Sequence, residues 1–198
     1  VTFREGAKGE VMLPAGAPVE GWHAVLSGLV MLRSATPQRR ASAFIGIPGG
    51  EWFGEGSALK REPRRYEVVA LRPTVLLCLP LAAFHALREA SLPFNHFLTQ
   101  HLNMRLGQAM AIIEAGRVRS PGHRVALYLS PLFWRNTRNI HLTQEELGHL
   151  AGLSRQTVNR VLRMLEERGI LSLDLGRVVI ADDAALTAYL AEPETIRP

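Results

Sequence analysis

The sequence predicts an α+β protein in which an antiparallel β domain is followed by a long helix and then by a second, mainly helical domain. Up to about Pro80, short apolar stretches alternate with glycine and proline turns, as in a small barrel or sandwich. Directly beyond Pro80 the apolar residues recur at helical spacing instead. A length of 198 residues allows one large domain or two small ones, and with 47% hydrophobic and 21% charged residues a packed core is expected and a largely disordered chain is excluded.

The β domain is predicted over residues 1–92. Turn residues separate six short strands, and Arg33 to Arg40 has the composition of a hairpin tip. The predicted strands are Glu10–Leu13, His23–Leu26, Leu29–Leu32, Ala41–Ile47, Tyr66–Leu71 and Val75–Leu79.

Two helices are predicted after the strands. The first is short and ends at Ser91-Leu92-Pro93. The second, over residues 93–119, carries apolar residues at intervals of four and three, which is typical of a coiled-coil seam. These residues are Phe94, Leu98, Leu102, Leu106, Ala109 and Ile113. The seam predicts a homodimer through this helix; the alternative is an amphipathic helix that lies on its own β domain.

The last domain is predicted over residues 120–198, because Ser120-Pro121-Gly122 ends the long helix and begins another. Thr143 and Glu146 are spaced as a capping box at the start of a further helix. Gly152 then supplies a turn, and Ser154 caps a second helix. This arrangement predicts a helix-turn-helix.

The second of these helices, at 154–168, has an apolar face and a polar face. Its polar face consists of Arg155, Gln156, Asn159, Arg160 and Arg163. Arginine and glutamine can pair bidentately with guanine and adenine edges in a major groove. A β-hairpin follows as a wing, with strands Ile170–Leu173 and Arg177–Ile180 around a turn at Asp174-Leu175-Gly176. The alternative for the polar face is a solvated surface in which Glu166 and Glu167 partner the arginines.

A roll, a long helix, a proline-marked hinge and a winged helix-turn-helix, in this order, resemble the Crp/Fnr family of bacterial transcription regulators. The matching residues are Glu145, Leu147, Gly152, Ser154, Arg155, Thr157 and Val158 in the last domain, and Gly49, Phe53-Gly54-Glu55 and Arg65 in the roll. The resemblance implies a cyclic-nucleotide-binding-like jelly roll and a dimer that reads a palindromic site in double-stranded DNA. RNA polymerase is a candidate further partner. A second interpretation is a ligand-sensing roll whose winged domain binds protein rather than DNA.

The resemblance also implies roles for individual residues. Base-reading positions fall on Arg155, Gln156 and Arg160, and phosphate-contacting positions fall on Ser154 and Thr157; Thr143 and Asn159 complete the predicted DNA-binding set. The family often has Glu where Gln156 stands. Because Glu accepts from cytosine whereas Gln both donates and accepts, the sequence of the half-site stays open.

An effector pocket is predicted in the roll from Gly54, Glu55, Gly56, Arg65 and Tyr66. In the cyclic-nucleotide-responsive branch of the family, a Gly-Glu turn holds the ribose hydroxyl, and Arg followed by Ser or Thr holds the phosphate. Here the bulky Tyr66 follows Arg65, and the nearby cations Lys60, Arg61 and Arg64 can neutralise Glu55. Cyclic nucleotide is therefore disfavoured and no cofactor is expected; the alternative is a surface ion pair between Glu55 and Arg65.

Several other classes of protein are excluded or disfavoured. The single Cys78 excludes an intrachain disulfide framework, and His96 and His101, five residues apart, do not share the helical face that metal binding prefers, so solvent or interface positions are expected. A metal-dependent enzyme is disfavoured because 41–75 contains no histidine, and no nucleotide-binding or nucleophile motif follows a strand. With no apolar run of about 20 residues, no membrane helix is expected and the cytoplasm is the predicted location.

Overall fold

The computed structural model describes residues 1–35, 43–118, 120–134, 139–174 and 177–193. The chain forms two compact units, Val1–Leu106 and Gly107–Pro198, so that each unit contains part of the long helix. Within the described ranges, no helix is long and apolar enough to cross a membrane.

The first unit is an eight-stranded roll in which all six predicted strands are present. The strands are β1 (Thr2–Gly6), β2 (Val11–Leu13), β3 (Gly21–Ser27), β4 (Leu29–Arg33), β5 (Ala43–Pro48), β6 (Trp52–Phe53), β7 (Glu67–Ala70) and β8 (Thr74–Pro80). Sequence analysis missed β1 and the very short β6. Most of the predicted hairpin tip, and the predicted start of β5, lie outside the described residues.

The strands form two antiparallel sheets of four. Their orders are β1-β8-β3-β6 and β2-β7-β4-β5. One core cluster centres on Trp22 of β3, which is almost completely buried with Phe84 and Ala58. The Trp22 ring lies 4.4 Å from that of Trp52, measured between centroids. This cluster is where the helices of the unit pack onto the roll.

Three helices follow or interrupt the strands: α1 (Glu55–Lys60), α2 (Leu81–Ala90) and α3 (Leu92–Val118). The predicted interruption at Ser91-Leu92-Pro93 is correct, because Ser91 is extended and ends α2. Pro93 then lies in the first turn of α3, where backbone N–H groups have no acceptor within the helix, so proline costs no helical hydrogen bond there. Sequence analysis missed α1 and treated its first residues as a turn.

The packing of the N-terminal end of α3 differs from the predicted dimer seam. Leu98 is buried and belongs to the Trp22 cluster, and the ring of Phe94 packs edge-on against Trp22 at 5.8 Å between centroids. Both side chains are held by the roll of their own chain. For this end of the helix, the alternative of a helix that lies on its own β domain is therefore the correct one.

The second unit is a winged helix-turn-helix, as predicted. Its elements are α4 (Pro121–Leu129), β9 (Asn139–Ile140), α5 (Gln144–Ala151), α6 (Arg155–Glu167), β10 (Leu171–Asp174), β11 (Arg177–Ile180) and α7 (Asp183–Ala191). The wing strands β10 and β11 pair antiparallel, and β9 adds a third strand beyond β11. Leu175 and Gly176 of the predicted turn lie outside the described residues, and sequence analysis missed β9 and α7.

Candidate DNA-binding interface and roll pocket

The capping box at the start of α5 is formed. The backbone N–H of Thr143 donates to Glu146 Oε2 at 2.8 Å, and the N–H of Glu146 donates to Thr143 Oγ1 at 3.2 Å. Because the exposed Thr143 hydroxyl only accepts in this pair, its own proton is available for a phosphate oxygen.

The turn between α5 and α6 depends on two glycines. Gly152 ends α5 with φ 65°, a left-handed conformation that favours glycine. A Cβ on Gly148 would lie 2.8 Å from the carbonyl oxygen of Leu153, so only glycine allows the turn to approach α5 this closely. Sequence analysis identified Gly152 but not Gly148, whose role is visible only in the crossing of the helices.

Helix α6 has the two faces that the sequence predicts. Val158, Val161, Leu162 and Leu165 are buried. Arg155, Gln156 and Arg160 are exposed on the opposite side, and Asn159 is half-buried between them. The predicted base-reading side chains therefore lie together on one accessible surface near the N-terminus of α6, which is the part of a recognition helix that contacts base edges.

A pair of hydroxyl groups caps the same helix end. Ser154 Oγ accepts from the N–H of Thr157 at 3.1 Å, and the two side-chain oxygens lie 2.9 Å apart. Two hydroxyls bring two protons, of which one is used between them. The other can be donated to a phosphate, as the predicted roles of Ser154 and Thr157 require.

The alternative in which acidic residues neutralise this face is not what the structure shows. Glu166 Oε1 accepts from the backbone N–H of Leu173 at 2.9 Å and so ties α6 to the wing. Within the described ranges, no ion pair joins Arg155 or Arg160 to a carboxylate. These two guanidinium groups are therefore available to pair with an anionic group of another molecule.

The predicted pocket in the roll is built differently from the expectation. Gly54 has φ 88° and caps α1, and Glu55, the first residue of α1, is buried. Glu55 Oε2 lies 3.5 Å from Nε2 of His101 on α3, a residue expected in solvent or at an interface but buried here. Burial alone would raise the pKa of Glu55, but the His101 contact and the charge of Arg105 hold that pKa below its ordinary value.

Arg65 does not lie with the other predicted pocket residues. Its side chain is 79% exposed and its Nη2 lies 3.2 Å from Glu62 Oε2. The predicted pair between Arg65 and Glu55 is therefore absent, and Lys60 likewise contacts Glu62 rather than Glu55. Gly56 lies in the exposed part of α1, with open space where a side chain would be.

The guanidinium inside the roll belongs instead to Arg64, which is 3% exposed. Its Nε and Nη1 find no hydrogen-bond partner among the described residues. Tyr66 lies beside it; burial raises the pKa of the Tyr66 hydroxyl, against the lowering effect of Arg64. The sequence predicted Arg65 as the inward cation, whereas the structure buries Arg64 and exposes Arg65, because no local pattern distinguishes which of two consecutive arginines points inward.

Comparison with known proteins identifies the family. Residues 3–91 match the model of the cyclic nucleotide-binding domain, and residues 123–189 match that of the Crp-like helix-turn-helix domain. The cyclic AMP receptor protein of Thermus thermophilus is 32% identical over 88% of this chain and 85% of its own length. The chain belongs to the Crp/Fnr family. It is a DNA-binding transcription regulator, which confirms the function predicted from the helix-turn-helix rather than the protein-binding alternative.

Other relatives and structures agree with this assignment. The transcriptional regulator LdrP of Thermus thermophilus is 29% identical over 91% of this chain and 92% of its own. The structure of FixK2 from Bradyrhizobium japonicum shares the fold with a TM-score of 0.80 at 20% identity, and each chain is covered to 98%. The predicted fold of this Crp/Fnr regulator is confirmed from the roll to the wing.

A row of exposed apolar side chains runs along the remainder of α3 in this Crp/Fnr chain. Leu106, Met110 and Ile113 are more than half exposed, at 58%, 63% and 55%. Leu102, which is 36% exposed, continues the row towards the N-terminus, and Ala109 is an exposed residue within the row. The four C-terminal residues of the predicted seam are thus uncovered, and Met110, which sequence analysis omitted, belongs with them.

In the described part of this regulator, no group of three or more His, Cys, Asp or Glu residues converges in a way that could hold a metal ion. His23 on β3 is buried and stacks on Phe53. Burial, together with the charges of Arg64 and Arg4, lowers the pKa of His23 to about 4, so the ring is neutral at pH 7.

Proposed function

We propose that this regulator acts as a homodimer that reads a palindromic DNA site with two copies of α6. The exposed row on α3 carries the proposal, because three adjacent turns with more than half-exposed Leu, Met and Ile are costly for a monomer in water. A parallel pairing of these helices relates the two α6 helices by a two-fold axis, as a palindrome with half-sites about 34 Å apart requires.

The proposed mechanism of recognition divides α6 by function. Arg155, Gln156 and Arg160 read base edges, with Asn159 beside them, and the hydroxyls of Ser154, Thr157 and Thr143 contact phosphates and fix the register. We propose regulation rather than an enzyme activity, in the cytoplasm that the sequence predicts, with RNA polymerase as a candidate partner.

Selection of bound fragments from a random-sequence DNA pool tests this function. The full chain is expected to enrich a two-fold symmetric site, and sedimentation at micromolar concentration is expected to show a dimer. A monomer in solution, or enrichment of a site with a single half, would contradict the proposal.

We further propose that the roll does not respond to cyclic AMP, although several relatives, from Thermus, Haemophilus, Mycobacterium and Pasteurella, are named as cyclic AMP receptors or cyclic AMP-activated regulators. Glu55, the predicted ribose partner, is already in contact with His101 at 3.5 Å. A Cβ built on Gly54 would lie 3.3 Å from Arg64 Nη1 and 3.8 Å from the Tyr66 hydroxyl, so both side chains lie against the turn that precedes Glu55. Arg64, whose Nε and Nη1 have no partner in the described residues, is the cation that an acidic effector of another shape would meet.

Titration calorimetry with cyclic AMP and cyclic GMP, followed by DNA titration with each nucleotide present, tests this proposal. No heat of binding and unchanged DNA affinity are expected, since a ligand shifts an equilibrium only by its differential affinity for two states. Low-micromolar binding together with tighter DNA binding would overturn it. Tyr66→Ser is the informative variant, because it removes the ring while leaving Arg64 in place.

A further inference from the structure

Three side chains on the outside of the roll form a cluster that the proposed function does not use. Arg61, directly after α1, donates from Nε to Nε2 of His85 on α2 at 3.2 Å. Arg88, one turn further along α2, places Nη1 at 3.2 Å from Nδ1 of the same ring. His85 is 9% exposed, so its imidazole is enclosed between the two guanidinium groups.

The hydrogen bonds of this cluster cannot all be satisfied by the protein. A guanidinium only donates, and a neutral imidazole accepts at one ring nitrogen while it donates at the other. One of the two contacts to His85 therefore sets a donor against a donor. A protonated imidazole would make this worse, because both ring nitrogens would then donate.

The charges of the cluster are also unbalanced. Neither Arg61 nor Arg88 has an ion pair with Asp or Glu among the described residues. The neighbouring acid, Glu62, already forms ion pairs through its Oε2 with Lys60 Nζ at 2.9 Å and with Arg65 Nη2 at 3.2 Å. Two cations consequently lie one imidazole ring apart, and the described residues supply no carboxylate that pairs with either of them.

The backbone conformation of Arg61 is that of a helix C-cap, in which its N–H donates to the carbonyl oxygen of Ser57. Arg61 has φ 55° and ψ 34°, and it is the one non-glycine residue with positive φ in the described chain. Glycine adopts this conformation without the Cβ penalty that arginine incurs. At the other side of the cluster, Asn95 Nδ2 donates to the carbonyl oxygen of Arg88 at 2.6 Å and holds the end of α2 in place.

We propose that Arg61, His85 and Arg88 bind a small phosphate-type oxyanion, such as the phosphate group of a metabolite, on the outer face of the roll. An oxyanion accepts from both guanidinium groups, as arginine–phosphate pairs do, and supplies the missing negative charge. With the guanidinium donors turned to the anion, His85 is relieved of the donor–donor contact. This site is separate from the pocket of Glu55, Arg64 and Tyr66, and it does not depend on how that pocket responds to nucleotides.

The test is a titration of the full chain with inorganic phosphate, with chloride adjusted to keep the ionic strength constant. The side-chain nitrogen resonances of ¹⁵N-labelled His85 report binding. A saturable shift of these resonances is expected in the unaltered protein. In Arg61→Gly and Arg88→Gln the phosphate affinity is expected to fall at least tenfold, whereas in Arg65→Gln, a matched exposed arginine nearby, it is expected to stay within twofold.

Arg61→Gly separates binding from folding, because glycine is unstrained at this φ and the variant is expected to melt no lower than the unaltered protein. A shift of His85 that does not saturate, or an equal loss of affinity in Arg65→Gln, would overturn the proposal as general charge screening. Binding of a polyglutamate peptide through Arg61 and Arg88 without binding of phosphate would also overturn it, because the ligand would then be an acidic protein segment.

Discussion

Helix α6 of the second unit and the interior of the roll place their charged side chains in opposite ways. Helix α6 leaves Arg155 and Arg160 exposed without carboxylate partners in the described residues, whereas the roll buries Glu55 against His101 and encloses Arg64. An exposed, unpaired cation suits a large polyanion that brings its own counter-charges and releases bound ions on contact. A buried charge responds instead to its few neighbours. The difference distinguishes the surface that we propose reads DNA from a roll interior whose charges are set by their protein neighbours.

The largest expected effect comes from substitutions in the exposed apolar row of α3. The double substitution Leu102→Glu with Leu106→Glu places like charges in the exposed apolar row of both protomers, so the dimer is expected to dissociate. Affinity for a palindromic site should then fall by on the order of 10³, towards non-specific binding. Sedimentation equilibrium and DNA titration measure the two effects.

His96→Glu is the control for this double variant, because His96 is exposed on α3 but lies off the row. It is expected to stay dimeric and to bind DNA normally. Circular dichroism should show both proteins folded. A double variant that remains a dimer would place the interface elsewhere.

The next effect concerns only the winged unit. Arg155→Ala and Arg160→Ala are each expected to weaken binding to the selected site by about 1–3 kcal/mol and to reduce preference at one base pair. Glu167→Ala, an exposed residue at the far end of α6, serves as the control. If Arg155→Ala weakens all sequences equally, as expected for Ser154→Ala, Arg155 contacts a phosphate and not a base.

In the roll, His23 gives a pH dependence of stability. Its native pKa of about 4 lies below the ordinary histidine pKa of 6.5, so the unfolded chain binds the proton more readily. Stability from this group is therefore complete above about pH 6.5 and is lost as the pH falls towards 4. Between pH 7 and pH 5 the free energy of unfolding is expected to drop by about 2 kcal/mol on its account.

Denaturant unfolding at both pH values, with the His23→Leu variant alongside, measures this contribution. The pH range stays above the titration of Glu55, whose pKa is lowered from 4.5. His23→Leu is expected to flatten the pH dependence, and His96→Leu to preserve it. An unchanged slope in His23→Leu would mean that another group carries the proton uptake.

The smallest expected effect distinguishes the two consecutive arginines of the roll. Arg65→Gln removes only an exposed pair with Glu62, and such pairs are worth little in water. No measurable change in melting temperature is expected. A clear loss of stability would show that Arg65, and not Arg64 alone, has a role inside the roll.

The sequence-based prediction was accurate for contacts between residues close together in the sequence and inaccurate for contacts between residues far apart in it. The capping box of Thr143, the turn at Gly152 and the cap at Ser154 join residues within four positions of one another, so their spacing alone determines the geometry. The contact between Glu55 and His101 joins residues 46 positions apart, and no local spacing encodes it.

Two errors share this cause. Phe94 and Leu98 have the spacing of a dimer seam, but Trp22 of the roll covers them, and only the packing of α3 onto β3 reveals this. Arg64 and Arg65 are chemically identical neighbours, and the direction of the chain leading into β7 decides which of them is buried. In both cases the residue types were predicted correctly and their partners were not.

The hydroxyl pair at the start of α6 has a consequence for how binding depends on salt. An arginine that neutralises a phosphate releases a counterion, so each such contact steepens the fall of affinity with ionic strength. The hydroxyls of Ser154 and Thr157 carry no charge and displace no ion when one of them donates to a phosphate. Contacts made by this pair should persist at salt concentrations that weaken the cationic ones, and we expect them to hold the register of α6 after its electrostatic attraction to DNA has been screened.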